Sequence, residues 1–182
     1  MGRDKARLRV GGEPLWRRQV RVLGEAGAAP VVVVRREGQT GMRGVRVVRD
    51  VFVGAGPLAG LHAALGAAGE AAWVAVLAVD MPAVEAAWFA QLRQRCARGR
   101  GAVVRHADGF EPLAAIYPVE ARAVVEGRLR RGEYAMQGLV RALVRAKRMA
   151  VVEIAAEERA AMENWNSPGD RRRVGGARSA PG

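Results

Sequence analysis

Short apolar runs alternate along this chain with longer stretches whose apolar residues recur every three or four positions. The run Trp73-Val74-Ala75-Val76-Leu77-Ala78-Val79 has no polar alternation, so it reads as a strand buried on both faces. Asp80-Met81-Pro82 follows at once. Proline cannot donate to a ladder and turns the residue before it away from helix, so the strand stops and the Asp80 carboxylate is left at its end. Residues 31–34 read as a second buried strand, and 45–48 as a short one that delivers Asp50 just past its end. Residues 102–105, 113–116 and 148–154 read as further strands. Helices are predicted over 14–27, with Trp16, Val20 and Leu23 on one face, and over 58–68, 85–97, 118–129 and 136–146. A last short helix is predicted to start at Ser167-Pro168, with Ser167 as its cap. Strands alternating with helices predict an α/β protein with a Rossmann-like, doubly wound, mostly parallel sheet. No repeat or linker interrupts it. One domain is expected over residues 1–174, with a disordered tail at 175–182.

Composition adds two constraints. The 182 residues carry 30 basic and 18 acidic side chains, a formal net charge of +12. The arginines are scattered, and neither zinc spacing nor an aromatic strand for base stacking is present, so the surplus reads as a solvated surface and no nucleic-acid partner is expected. Only Lys5 and Lys147 are lysines. Lys5, beside Asp4 and a turn, is a candidate phosphate ligand, because an ammonium is a compact point charge that arginine does not freely replace. No apolar stretch is long enough to span a bilayer, so no membrane is expected and a cytoplasmic location is. The single cysteine, Cys96, cannot form an internal disulfide and reads as packing.

The candidate chemistry lies at strand and helix ends. In open α/β sheets ligands bind outside the carboxyl ends of the strands, where Asp80 and Asp50 are placed. A lone acid there suits a divalent cation that shares phosphate oxygens. Gly56-Pro57 starts a helix, and free N–H groups at such a start attract anions. Gly56 and Gly60 would let a ligand approach the backbone, although a glycine before a helix is ordinary. Asn164 and Asn166 flank Trp165 in a chain otherwise without asparagine; they could bond a ligand or serve a turn. His62 and His106 read as packed or surface residues. No Ser-His-Asp order and no His/Cys metal cluster is present.

Taken in order, Gly2-x-Asp4-Lys5, Gly11-x-x-Pro14-Leu15, Asp50, Gly56-Pro57-Leu58-Ala59-Gly60, Asp80-Met81-Pro82, Glu111-Pro112-Leu113, Tyr117-Pro118 and Asn164-x-Asn166-Ser167-Pro168 resemble the bacterial molybdenum cofactor guanylyltransferases. The resemblance runs to about residue 174. It implies a nucleotidyltransferase that moves GMP from GTP to molybdenum-bearing molybdopterin and releases pyrophosphate. It further implies that Lys5 contacts the nucleotide phosphates, that Asp50, Gly56 and Gly60 line the GTP site, and that Asp80 binds GTP and Mg²⁺. Asn164 and Asn166 fall on the pterin side. Transient contacts with molybdopterin-loading proteins and molybdoenzymes are implied too.

Two departures stand out. The stretch Val34-Arg35-Arg36-Glu37 lacks the asparagine the family carries after its second strand. The family's first strand and the start of its phosphate loop precede Met1, so Met1 is expected to be an internal methionine of a longer natural protein. Losing about four buried apolar side chains, at about 1.5–3 kcal/mol each, would remove much of a domain's usual stability of about 5–15 kcal/mol. The related cytidylyltransferases of the same cofactor, and a non-catalytic GTP-binding homologue without the phosphate loop, are the alternatives.

Overall fold

A computed structural model describes residues 9–10, 12–35, 42, 44–106 and 109–153. Lys5, Asn164, Asn166, the helix expected at Ser167 and the 175–182 tail lie outside the described residues.

A two-residue hairpin, β1 (Arg9–Val10) against β2 (Glu13–Pro14), leads into α1 (Leu15–Glu25). Pro14 precedes this helix as its cap and stands outside it. Then come β3 (Val32–Arg35), β4 (Arg46–Arg49), α2 (Pro57–Gly66), β5 (Trp73–Leu77) and α3 (Ala86–Gln94). The second half runs β6 (Gly101–His106), β7 (Gly109–Phe110), β8 (Ala114–Pro118), α4 (Ala121–Arg130), α5 (Met136–Arg145) and β9 (Met149–Glu153). Every strand and helix expected within the described residues is present, with ends shifted by at most three residues.

The sheet is mixed. β3 pairs with β4, and β6 with β9, in parallel. β8 runs antiparallel between β5 and β6. Only residues 107–113 separate β6 from β8, too few for the crossover that a parallel pair needs, so the chain must turn back on itself.

Alternation along the central strands builds two cores. Val103, Ala115 and Tyr117 point to one face and pack with Leu58, Leu61 and Leu65 of α2, Val125 of α4 and Leu139 of α5. Their neighbours Ala102, Val104, Ala114 and Ile116 point to the other, against Val22 of α1 and Phe89 and Leu92 of α3. Helices on both faces of one sheet are the doubly wound arrangement.

The β3–β4 pair and the five-stranded sheet of β5 to β9 are separate sheets. Among the described residues β3 pairs with β4 alone and β5 with β8 alone. Between them lies a cleft of about 700 Å³. Its walls are consecutive residues, 31–34 on one side and 73–80 on the other. A strand face would contribute every second residue, so both strands present their edges. The cleft lies between two sheets that share no hydrogen-bonded strand pair among the described residues. It also corrects the expectation for β5: all five residues are only partly buried, because one edge opens into this cleft.

Candidate active site

Asp80 sits where the chain leaves β5. The ladder ends at Leu77↔Ala114, and the Ala78 N–H donates to Leu113 O at 2.8 Å, so the two chains stay side by side past the strand. Residues 78–81 then turn, and Asp80 lines the cleft, partly buried. Pro82 and Met81 are buried beneath it.

Two further residues converge here that the sequence left without a role. Gln19 of α1, buried in an otherwise apolar region, donates from Nε2 to Ala78 O at 3.0 Å and to Met81 O at 2.9 Å. Glu111 precedes β8 and accepts from the Leu113 N–H at 3.3 Å. Burial raises the Glu111 carboxyl above the usual carboxylate range, and the charge of Asp80 adds to the rise. The Leu113 N–H and His106 pull the other way. Glu111, Asp80 and His106 thus share one end of the five-stranded sheet. Sequence spacing hides this grouping, because the β5–β8 and β6–β7 registers create it. Among the described residues no group of three or more His, Cys, Asp or Glu could hold a metal by itself.

The other candidates occupy the next segment. Asp50 follows β4, and its N–H donates to Arg35 O at 3.3 Å, which ties the loop it opens to the end of β3. That loop runs to Gly56, which caps α2 at φ 63°, ψ −146°. Pro57 takes the first helical position, as expected, and lines the cleft. Gly60 lies one turn further and faces Val34, whose Cγ1 is 3.9 Å from where a Cβ would stand. The structure thus brings Asp80, Gly60 and Pro57 to one cleft. It sets Asp50 and Gly56 at the two ends of the loop that enters α2. Cys96 is half-buried, its Sγ 3.4 Å from Leu92 O, and burial pushes its thiol up, as suits an inert packing residue.

A carboxylate at a strand end and a helix start on one cleft of a doubly wound sheet are the ligand-binding arrangement of the open α/β class. Known proteins narrow the class. Residues 1–151 match the MobA-like NTP transferase domain. A probable molybdenum cofactor guanylyltransferase of Opitutus terrae is 65% identical over 176 residues, 95% of this chain and 87% of that protein. The molybdenum cofactor guanylyltransferase of Xanthomonas euvesicatoria is 32% identical over 173 residues, 92% of this chain and 84% of that protein. Among solved structures, molybdopterin-guanine dinucleotide biosynthesis protein A from Archaeoglobus fulgidus superimposes with a TM-score of 0.70 at 21% identity, over 95% of this chain and 89% of that one. The chain belongs to the MobA-like NTP transferase family, and within it to the molybdenum cofactor guanylyltransferases.

Proposed function

We propose that this protein transfers GMP from GTP to the terminal phosphate of molybdenum-bearing molybdopterin. The observation that carries the reading is the position of Asp80, at the end of β5 on the wall of a cleft that also takes in the start of α2. In the reaction a phosphate oxygen of the pterin attacks the α-phosphorus of GTP. The new P–O bond forms as the bond to the β-phosphate oxygen breaks, and pyrophosphate leaves.

The nucleophile needs no general base. The second pKa of a phosphomonoester is about 6, so at neutral pH it is already largely an anion. What remains for the protein is positioning and charge neutralisation. Asp80 would hold Mg²⁺, and the donor set fits this ion. Its oxygens are hard donors, and one carboxylate, with Glu111 close by, leaves most of the coordination to substrate phosphates and water, as Mg²⁺ prefers. When bound, the ion would neutralise charge on the reacting phosphates. The free N–H groups at the start of α2 would receive an anionic group, and Gly56 lets the chain enter the helix there. Lys5 for the nucleotide phosphates, Asp50 for the GTP site, and Asn164 and Asn166 for the pterin side complete the proposal. A cytoplasmic location suits it, and no described helix is long and apolar enough to cross a membrane.

Thermal melting with GTP, CTP or ATP, each with Mg²⁺, tests the base preference, since a ligand that binds the native state raises its apparent stability. GTP should raise the midpoint most. A larger rise with CTP would move the protein to the cytidylyl branch. GTP binding without pyrophosphate release, when loaded molybdopterin is supplied, would make it a non-catalytic binder.

A further inference from the structure

Gln19 is a polar side chain in an apolar setting, at 4% exposure beside Val22, Leu23, Met81 and Val84, which are all buried. Its carboxamide is nonetheless fully used. Both bonds from Nε2 run to carbonyls, Ala78 O at 3.0 Å and Met81 O at 2.9 Å. Carbonyls only accept, so the nitrogen must face them. The oxygen then faces Arg18 Nη1 at 3.3 Å, and the same Nη1 reaches Val84 O at 3.0 Å. The two carbonyls held by Gln19 stand on either side of Val79 and Asp80. The turn's own closing bond, Met81 N–H to Ala78 O, is 3.4 Å, longer than either contact from Gln19. A helix 59 and 62 residues away in sequence thus grips both ends of the turn that carries the carboxylate.

We propose that Gln19 is a positioning residue for Asp80. It fixes the 78–81 turn so that the carboxylate is held on the cleft wall before any ligand arrives, and Arg18 fixes Gln19 in turn. This rests on the reading of Asp80 as the residue that meets the cation and the nucleotide phosphates. A side chain that only filled space at this site would be apolar. A buried amide is kept where both donors have partners, and here both partners belong to the one turn that bears the candidate ligand.

The test uses the full chain and a readout that simple loss of packing does not move: the Mg²⁺ concentration giving half the GTP-dependent rise in melting temperature. Partners that orient a ligating group cost about 10–100-fold in metal affinity when removed. Gln19→Met keeps the length and the unbranched chain but loses both donors, and should raise the midpoint about tenfold or more. Gln19→Glu, which sets a carboxylate against two carbonyls, should raise it further. Arg18→Met removes only the brace and should shift it the same way by a smaller factor. A Gln19→Met protein that melts cooperatively with the wild-type Mg²⁺ midpoint overturns the proposal. If Gln19→Met does not fold, an unchanged midpoint in Arg18→Met overturns it instead. Asp80→Asn separates the two readings. Loss of Mg²⁺ dependence there with none in Gln19→Met removes Gln19 alone. Wild-type Mg²⁺ dependence in Asp80→Asn removes the metal reading and Gln19's role with it.

Discussion

Gly56 shows how much one backbone position can decide. Its φ of 63° and ψ of −146° lie in a region that is essentially glycine's own, yet a Cβ there would meet nothing within 4 Å. The constraint is conformational, so Gly56→Ala should cost about 1–3 kcal/mol and strain the start of α2. Denaturant melts check the cost, and GTP affinity checks the strain. Tyr117 is a second single-residue test. It is fully buried, and its hydroxyl donates to Pro112 O at 2.9 Å, bracing the residue next to Glu111. Tyr117→Phe strands that carbonyl and should cost about 1–2 kcal/mol in the same melts. At this scale the sequence was readable where chemistry and punctuation coincide. Asp80 announces itself because Pro82 stops the strand behind it. Gln19 and Glu111 do not, because what makes them matter is a partner brought close by the fold. The signal for Gln19 was a polar residue at a core-facing helical position, since Leu15, Val22 and Leu23 around it are buried.

Elements were legible from their periods, and their directions were not. The apolar runs placed β3, β5 and β6, but nothing in a single strand says which way its neighbour runs. The antiparallel β8 follows from the short 107–113 connection, a constraint of length rather than of composition. The close approach of β6 to β8 rests on Gly101, where a Cβ would collide with the carbonyl of Ile116. Gly101→Ala should therefore cost about 2–3 kcal/mol, measured by urea unfolding. Between α2 and α4 the weak point is His62. It is buried against Phe52, with Nε2 lacking a hydrogen bond among the described residues and Glu126 Oε2 3.9 Å away. Burial first, then Arg122, lowers its pKa below the ordinary 6.5, and Glu126 opposes the fall. The sign follows: below 6.5 the unfolded chain takes up this proton before the folded one, so stability present above that pH is lost as pH falls. His62→Leu should remove this loss. Its melting temperature relative to the wild type should be higher at pH 5 than at pH 7.5, and an unchanged difference would show that His62 is not the source.

For the whole molecule, the decisive feature is the cleft between the β3–β4 pair and the five-stranded sheet. The order of motifs anticipated an α/β domain, and a cleft between β3 and β5 separates its two sheets. Hydrogen exchange makes this measurable. Amides of β5 that face β8 should be protected, and those that face the cleft should exchange quickly, whereas β6, paired with β8, β7 and β9, should show no such division. Uniform protection along β5 would mean that its free edge is covered. The site was legible at this scale because the ends of strands and the starts of helices gather on one cleft in any doubly wound sheet. Its supporting contacts were not, since they depend on register.

On the proposed function, Asp80 serves phosphoryl chemistry on GTP and not the integrity of the fold. Pyrophosphate release from GTP with loaded molybdopterin, compared between wild type and Asp80→Ala at matched melting behaviour, tests it most directly. Turnover should fall by orders of magnitude while the melting temperature holds. A variant that turns over near the wild-type rate would exclude Asp80 from the reaction.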